Sequence, residues 1–170
     1  MSRTLLSSAR KMLSSLALTL TLAALPAYAG GPAAGAIVIT DHMLNPALSS
    51  FQSDLKSEAK SSLAQNPDTE SWKVHFVAHL KKSPGSPDVN IVFYEIGQAA
   101  KQATKPVGAD AHEPVQAYPI KTKQTATMLI SEVTLKKEEG FKPGGKYQVL
   151  ITRLINGKEE VYARTAIELK

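Results

Sequence analysis

The sequence predicts a mainly β domain: an antiparallel fold of about six or seven strands with one amphipathic helix ahead of it. Three observations carry this. From Ser71 onward, apolar and polar residues alternate with the period of two that belongs to strands. Turn-forming clusters, Ser83–Asp88, Pro143–Gly145 and Asn156–Gly157, separate the alternating runs. Ahead of Ser71 the apolar spacing is three and four, the period of a helix.

The first 29 residues stand apart from the fold. Arg3, Arg10 and Lys11 precede the apolar run Leu13–Leu25, and Pro26 precedes Ala27-Tyr28-Ala29. This is the pattern of a secretory signal peptide, with cleavage expected between Ala29 and Gly30. The apolar run is shorter than the ~20 residues a spanning helix needs, and no second long apolar stretch follows. The expected location is therefore the periplasm or the extracellular space. The leader holds three of the 20 basic residues and none of the 15 acidic ones, which leaves 17 against 15 in residues 30–170. That near balance argues against nucleic acid as a partner. There is no Cys, so thiol chemistry, Cys-ligated zinc and disulfide support are all excluded.

Residues 30–44 form an N-terminal segment in which Ala36–Thr40 is a short apolar run. Residues 45–66 read as the amphipathic helix. Asn45-Pro46 suits a helix start, and Asn66-Pro67-Asp68 is a breaker. Leu44, Leu48, Phe51, Leu55, Ala59 and Leu63 make a narrow stripe, which either lies on the domain itself or docks on a partner. Residues 71–170 carry the strands, and helix and strands form a single domain. In the first strand Trp72, Val74, Phe76, Ala78 and Leu80 face the core, while Lys73, His75, His79 and Lys81 make a cationic strip on the other side. That strip reads as a solvated sheet face or as a patch for anionic sugar or lipid head groups. Val89–Ile96 is apolar on both faces, and with the preceding strand it reads as a hairpin. Pro114 and Pro119 confine residues 113–120 to an edge. Thr125–Leu135, Lys146–Ile155 and Glu160–Leu169 complete the set, the last two joined by Asn156-Gly157.

Gly140, Gly145 and Lys146 match the spacing G-x-x-x-x-G-K of a phosphate-binding loop. Such a loop needs a helix after it and a Ser or Thr after the Lys. Here Tyr147 follows, then a β-branched run, and Pro143 removes a backbone donor. The stretch is a turn, with Pro143-Gly144 at its tip and Phe141 plugging the core before it. Phe141, Pro143, Gly144 and Tyr147 resemble the tyrosine corner of immunoglobulin-like and fibronectin type III domains. The resemblance implies an antiparallel immunoglobulin-like β-sandwich over residues 71–170 and, with it, a binding or scaffolding module.

Chemistry is sparse. There is no G-x-S-x-G elbow, and the close carboxylates Glu138-Glu139 and Glu159-Glu160 flank turns. His42 and His112 sit in loops without a ligand set. No cofactor or metal is expected, and no catalysis. The expectation is a non-catalytic module that binds another envelope or secreted protein, or itself, through the helix stripe (Leu48, Phe51, Leu55) or a sheet edge. The alternative is a glycan or small-ligand binder using loops 83–88 and 98–112, with the cationic strip as a weaker candidate surface.

Overall fold

The computed structural model describes residues 32–96 and 113–170. The leader, the cleavage pair Ala29 and Gly30, loop 98–112 and His112 lie outside the described residues. The strands are β1 (Ala36–Thr40), β2 (Ser62–Leu63), β3 (Ser71–His79), β4 (Asp88–Glu95), β5 (Gln116–Lys121), β6 (Met128–Lys136), β7 (Lys146–Ile155) and β8 (Lys158–Leu169). Among the described residues the helix α1 (Phe51–Ser57) and a 3-10 turn at Lys137–Glu139 complete the order.

All eight strands belong to one sheet in the order β5-β4-β7-β8-β1-β3-β6, with β2 beside β8. The expected two-sheet sandwich is thus a nearly closed barrel. The reason is β8, which pairs antiparallel with β7 and touches β1 in parallel through Ala36 and Arg164. That contact stitches the four strands β5, β4, β7 and β8 to the three strands β1, β3 and β6. On the other side, Tyr118 of β5 bridges the gap. Its hydroxyl donates to Glu139 Oε2 at 2.6 Å and lies 3.4 Å from the Thr134 carbonyl.

Strand alternation fills the interior. Trp72, Val74, Phe76 and Ala78 of β3 meet Val89, Ile91 and Phe93 of β4 and Tyr147, Val149 and Ile151 of β7 in one core. Phe141 stands edge-on to Phe93 at 5.4 Å and 5.2 Å from Tyr147. The β7–β8 register shifts between Ile151 and Thr152, which pair with Ala163 and Val161. Tyr162 is the extra residue of this bulge, and its ring is buried in the core, as is the Ala163 methyl. Asn156 (φ 51°) and Gly157 (φ 76°) both take the positive φ of a two-residue hairpin turn.

Two expectations about elements fail. β3 and β4 are not a hairpin: β3 lies between β1 and β6, and β4 between β5 and β7. Their connection crosses the barrel and is pinned there by Arg153, whose Nη1 donates to the Pro84 carbonyl at 2.8 Å. The helix of 45–66 shrinks to the seven residues of α1. The Asn45 side chain accepts from the Ala47 amide and forms a turn in place of a helix cap. At the other end tertiary pairing wins over propensity: the Lys60 amide donates to the Ile39 carbonyl, and Ser62–Leu63 pair with β8.

Residues 142–147 form a tight turn closed by the Tyr147 side chain. The Gly145 amide donates to the Lys142 carbonyl at 3.0 Å, and Gly144 has φ 75°, so Pro143-Gly144 is a type II turn. The Lys142 amide donates to Tyr147 Oη at 2.9 Å. A Cβ at Gly145 would stand 2.6 Å from that hydroxyl oxygen, so the ring requires glycine there. Tyr147→Phe orphans the Lys142 amide and is expected to cost about 1–2 kcal/mol, read as a lower urea midpoint at unchanged slope. Gly145→Ala displaces the ring itself, and a loss smaller than that of Tyr147→Phe would contradict this packing.

Candidate functional site

The surface that gathers most of the expected site residues is the outer face of β1, β3 and β6. Val38, Val77 and Ile130 stand side by side across it, since Val77 pairs with each of the other two. On this row sits residues 41–61, a strap containing α1, with Leu44, Phe51 and Leu55 buried against Val77. The helix stripe is therefore spent on the protein's own sheet. Of the three stripe residues offered as a docking surface, Phe51 and Leu55 are buried, and only Leu48 is exposed.

The cationic strip changes character for the same reason. Its ends, Lys73 and Lys81, are exposed, but its middle is not solvated: His75 retains only 7% of its exposure, and His79 is half-buried. Lys73 Nζ lies 3.1 Å from Glu132 Oε2 of β6. His75 Nδ1 is also 3.1 Å from that oxygen without forming a hydrogen bond, and the contact is an ion pair only when the imidazole is protonated. Burial pushes the His75 imidazole below its ordinary pKa, with Glu132 opposing and Lys73 reinforcing the effect. Burial alone lowers His79. The Lys81 stem lies over Gly35, where a Cβ would meet its Cε at 2.6 Å. Alternation along β3 places these residues correctly on one face. What it cannot show is that a segment thirty residues upstream in the chain covers that face.

Beside the strap lies an open groove of about 510 Å³ whose polar lining includes Asp41, Gln65, Asn66, Asp68 and Lys73. Its polar groups are largely committed to the chain itself. Asp41 pairs with Lys60 at 3.0 Å, Gln65 donates to the Glu70 carbonyl, and Asn66 accepts from the Asp68 amide. At the opposite end of β3, the Pro84 carbonyl of loop 83–88 is taken by Arg153, and the Tyr162 hydroxyl lies 3.5 Å from it. Glu160 accepts from Tyr162 at 2.7 Å and pairs with Lys82, and both partners hold its carboxyl below the usual range. Among the described residues no group of three His, Asp and Glu is placed to hold a metal ion. No helix among them is long and apolar enough to cross a membrane.

A third feature, the edge of β6 that no strand among the described residues pairs with, follows from the pairing. The Leu80 amide donates to the Thr127 carbonyl, which continues the β3–β6 ladder and fixes its phase. Leu129, Ser131, Val133 and Leu135 therefore bond to β3. The backbone groups of Met128, Ile130, Glu132, Thr134 and Lys136 point to the open side. Of these, Glu139 Oε2 engages the Lys136 amide, and the Tyr118 hydroxyl lies 3.4 Å from the Thr134 carbonyl. The other edge, β5, carries Pro119 with its missing donor outward, as the bond from the Thr122 amide to the Pro87 carbonyl shows.

Comparison with family models, with characterised proteins and with solved structures finds no match to this chain.

The tyrosines report on these contacts. Burial, with Glu159 at 3.1 Å, pushes Tyr94 up to about 12. Burial and Glu139 raise Tyr118 further, and burial raises Tyr147 and Tyr162. In an alkaline titration of residues 30–170, tyrosinate absorbance is expected to lag behind that of the denatured chain, whose phenols ionise near 10. The unfolded state loses protons first, so this source of stability is complete below pH ~10 and declines above it. A native tyrosine titrating at its ordinary value would refute the arrangement.

Proposed function

We propose that this chain is an exported, non-catalytic immunoglobulin-like β module that binds another envelope or secreted protein, or its own copy, by accepting a strand at β6. The leader pattern supports export. The corner at Phe141–Tyr147 and the grouping of four strands against three support the immunoglobulin-like type. The observation that carries the binding mode is the row of outward backbone groups at Met128, Ile130 and Glu132. Sheet edges of this kind are either blunted or used. Pro119 blunts β5, whereas the nine residues of β6 include no Pro or Gly. With Phe51 and Leu55 buried, the helix no longer competes as the contact surface.

The test is Met128→Pro, which removes one outward donor at the start of β6 and spares the pairing with β3. Wild type and variant, both checked for folding by circular dichroism, serve as baits for cross-linking in envelope and secreted fractions. Self-association is followed by sedimentation. A partner or dimer formed by the wild type and lost in the folded variant is the expected result. Association that persists unchanged in the variant, or none for either protein, overturns strand addition at β6. In the second case, glycans and small ligands become the next class to screen.

A further inference from the structure

The strap rests on an unusual floor. Along the outer face of β3 the order is Lys73, His75, Val77, His79, Lys81, so the residue that seats α1 stands between two histidines. His75 Nδ1 and His79 Nε2 are both buried without a hydrogen-bond partner. A neutral imidazole tolerates this for one nitrogen. An imidazolium carries two donors and a charge, so burying it there is costly.

The groups facing these rings come from four elements. Against His75, β6 presents Glu132 at 3.1 Å, and β3 itself presents Lys73. The strap presents His42 and Asp41, the latter already paired with Lys60 at 3.0 Å. Against His79 the cross-strand neighbours are Ala36 of β1 and Met128 of β6, both without charge. Protonation would therefore add charge to a face that holds Lys73, Lys81 and His42. One shared carboxylate, Glu132, is available to answer it.

The strap is also lightly anchored between its ends. α1 has seven residues and no side-chain hydrogen bond at its N-cap. Its apolar cluster is separate from the barrel core. The Lys60–Asp41 pair joins the strap's two ends to each other, and its polar ties to the sheet sit at those ends: the Thr40 hydroxyl donates to the His42 carbonyl, the Lys60 amide to the Ile39 carbonyl and the Glu168 amide to the Ser61 carbonyl. Local opening draws on such elements before the core.

We propose that residues 41–61 are an acid-released strap: uptake of protons by His75 and His79 lifts the strap from the sheet and uncovers the apolar row Val38, Val77 and Ile130. The direction follows from linkage. Both imidazoles are held below their ordinary pKa while the strap is closed, chiefly by burial. The open state binds protons more readily. Closure is complete above about pH 6.5 and weakens as pH falls below it. The barrel, whose core residues do not titrate in this range, stays folded.

Amide hydrogen exchange on residues 30–170, corrected for intrinsic rates, tests this between about pH 8 and about pH 5. Protection in Phe51–Ser57 is expected to fall severalfold on acidification while that of β7 holds. The same titration of the imidazole signals should show proton uptake at His75 and His79 in step with the lost protection. His75→Gln with His79→Gln is expected to abolish the response, and His42→Gln to keep it. Should the double variant not fold, each single substitution is expected to reduce the response. Protection of α1 that ignores pH, loss that spreads equally to β7, or an acid response surviving in the double variant would each overturn the proposal.

Discussion

β3 is buried on both faces, and that constraint organises the rest. A strand with one wet face needs one cover, whereas a strand apolar on one side and carrying Val77 between two histidines on the other needs two. The barrel supplies the first cover: Trp72, Val74 and Phe76 face Phe93, Phe141 and Tyr147 across a continuous core. The strap supplies the second. Removing the barrel's contribution would unfold the protein, since there is no disulfide to hold it. Removing the strap would leave the ladders of β3 with β1 and β6 intact. The two covers are therefore unequal in strength, and the weaker one lies over the titrating groups.

The strands and the corner were legible in the sequence because both are local. Alternation marks Ser71–His79 and Lys146–Ile155 within a residue or two, and Pro143, Gly144, Gly145 and Tyr147 build their turn from neighbours no more than five positions apart. Pairing was legible only where the turn dictates it, at Asn156-Gly157. Between β3 and β4 the connection is too long to set a register, and better partners elsewhere took both strands. The helix was over-read for a related reason. The stripe from Leu44 to Leu63 is real, since Leu44, Phe51, Leu55 and Leu63 are all buried. Leu63, however, reaches the barrel core from a strand paired with β8, and Leu44 is buried under the strap from the irregular segment ahead of α1. A spacing of three and four fits a helix but does not require one when the chain can bury the same residues by crossing a sheet.

The candidate site was legible residue by residue but not as an environment. The alternation of Lys73, His75, His79 and Lys81 placed them on one face, and the ordinary fate of such a face is solvent. The missing signal was the stripe itself. A short amphipathic segment must lie on something, and a strand face interrupted by Val77 is a dry place for it to lie.

Glu132 connects the two surfaces that remain. Its carboxylate meets Lys73 and His75, while its own backbone groups point to the edge of β6 that no described strand occupies. A strand added at that edge would set new side chains beside the Glu132 carboxylate and shield it from water. Shielding strengthens its attraction for a protonated His75 if the pair stays dry, and it raises the cost of losing that pair. Edge occupation and strap closure are then linked through one residue. By reciprocity, whatever the added strand does to proton uptake at His75, proton uptake does in equal measure to the affinity of the edge. The sign of that linkage depends on what the incoming strand places opposite Glu132: a basic residue there would compete with His75 and favour the neutral, closed face, whereas an apolar one would leave the carboxylate to the imidazolium.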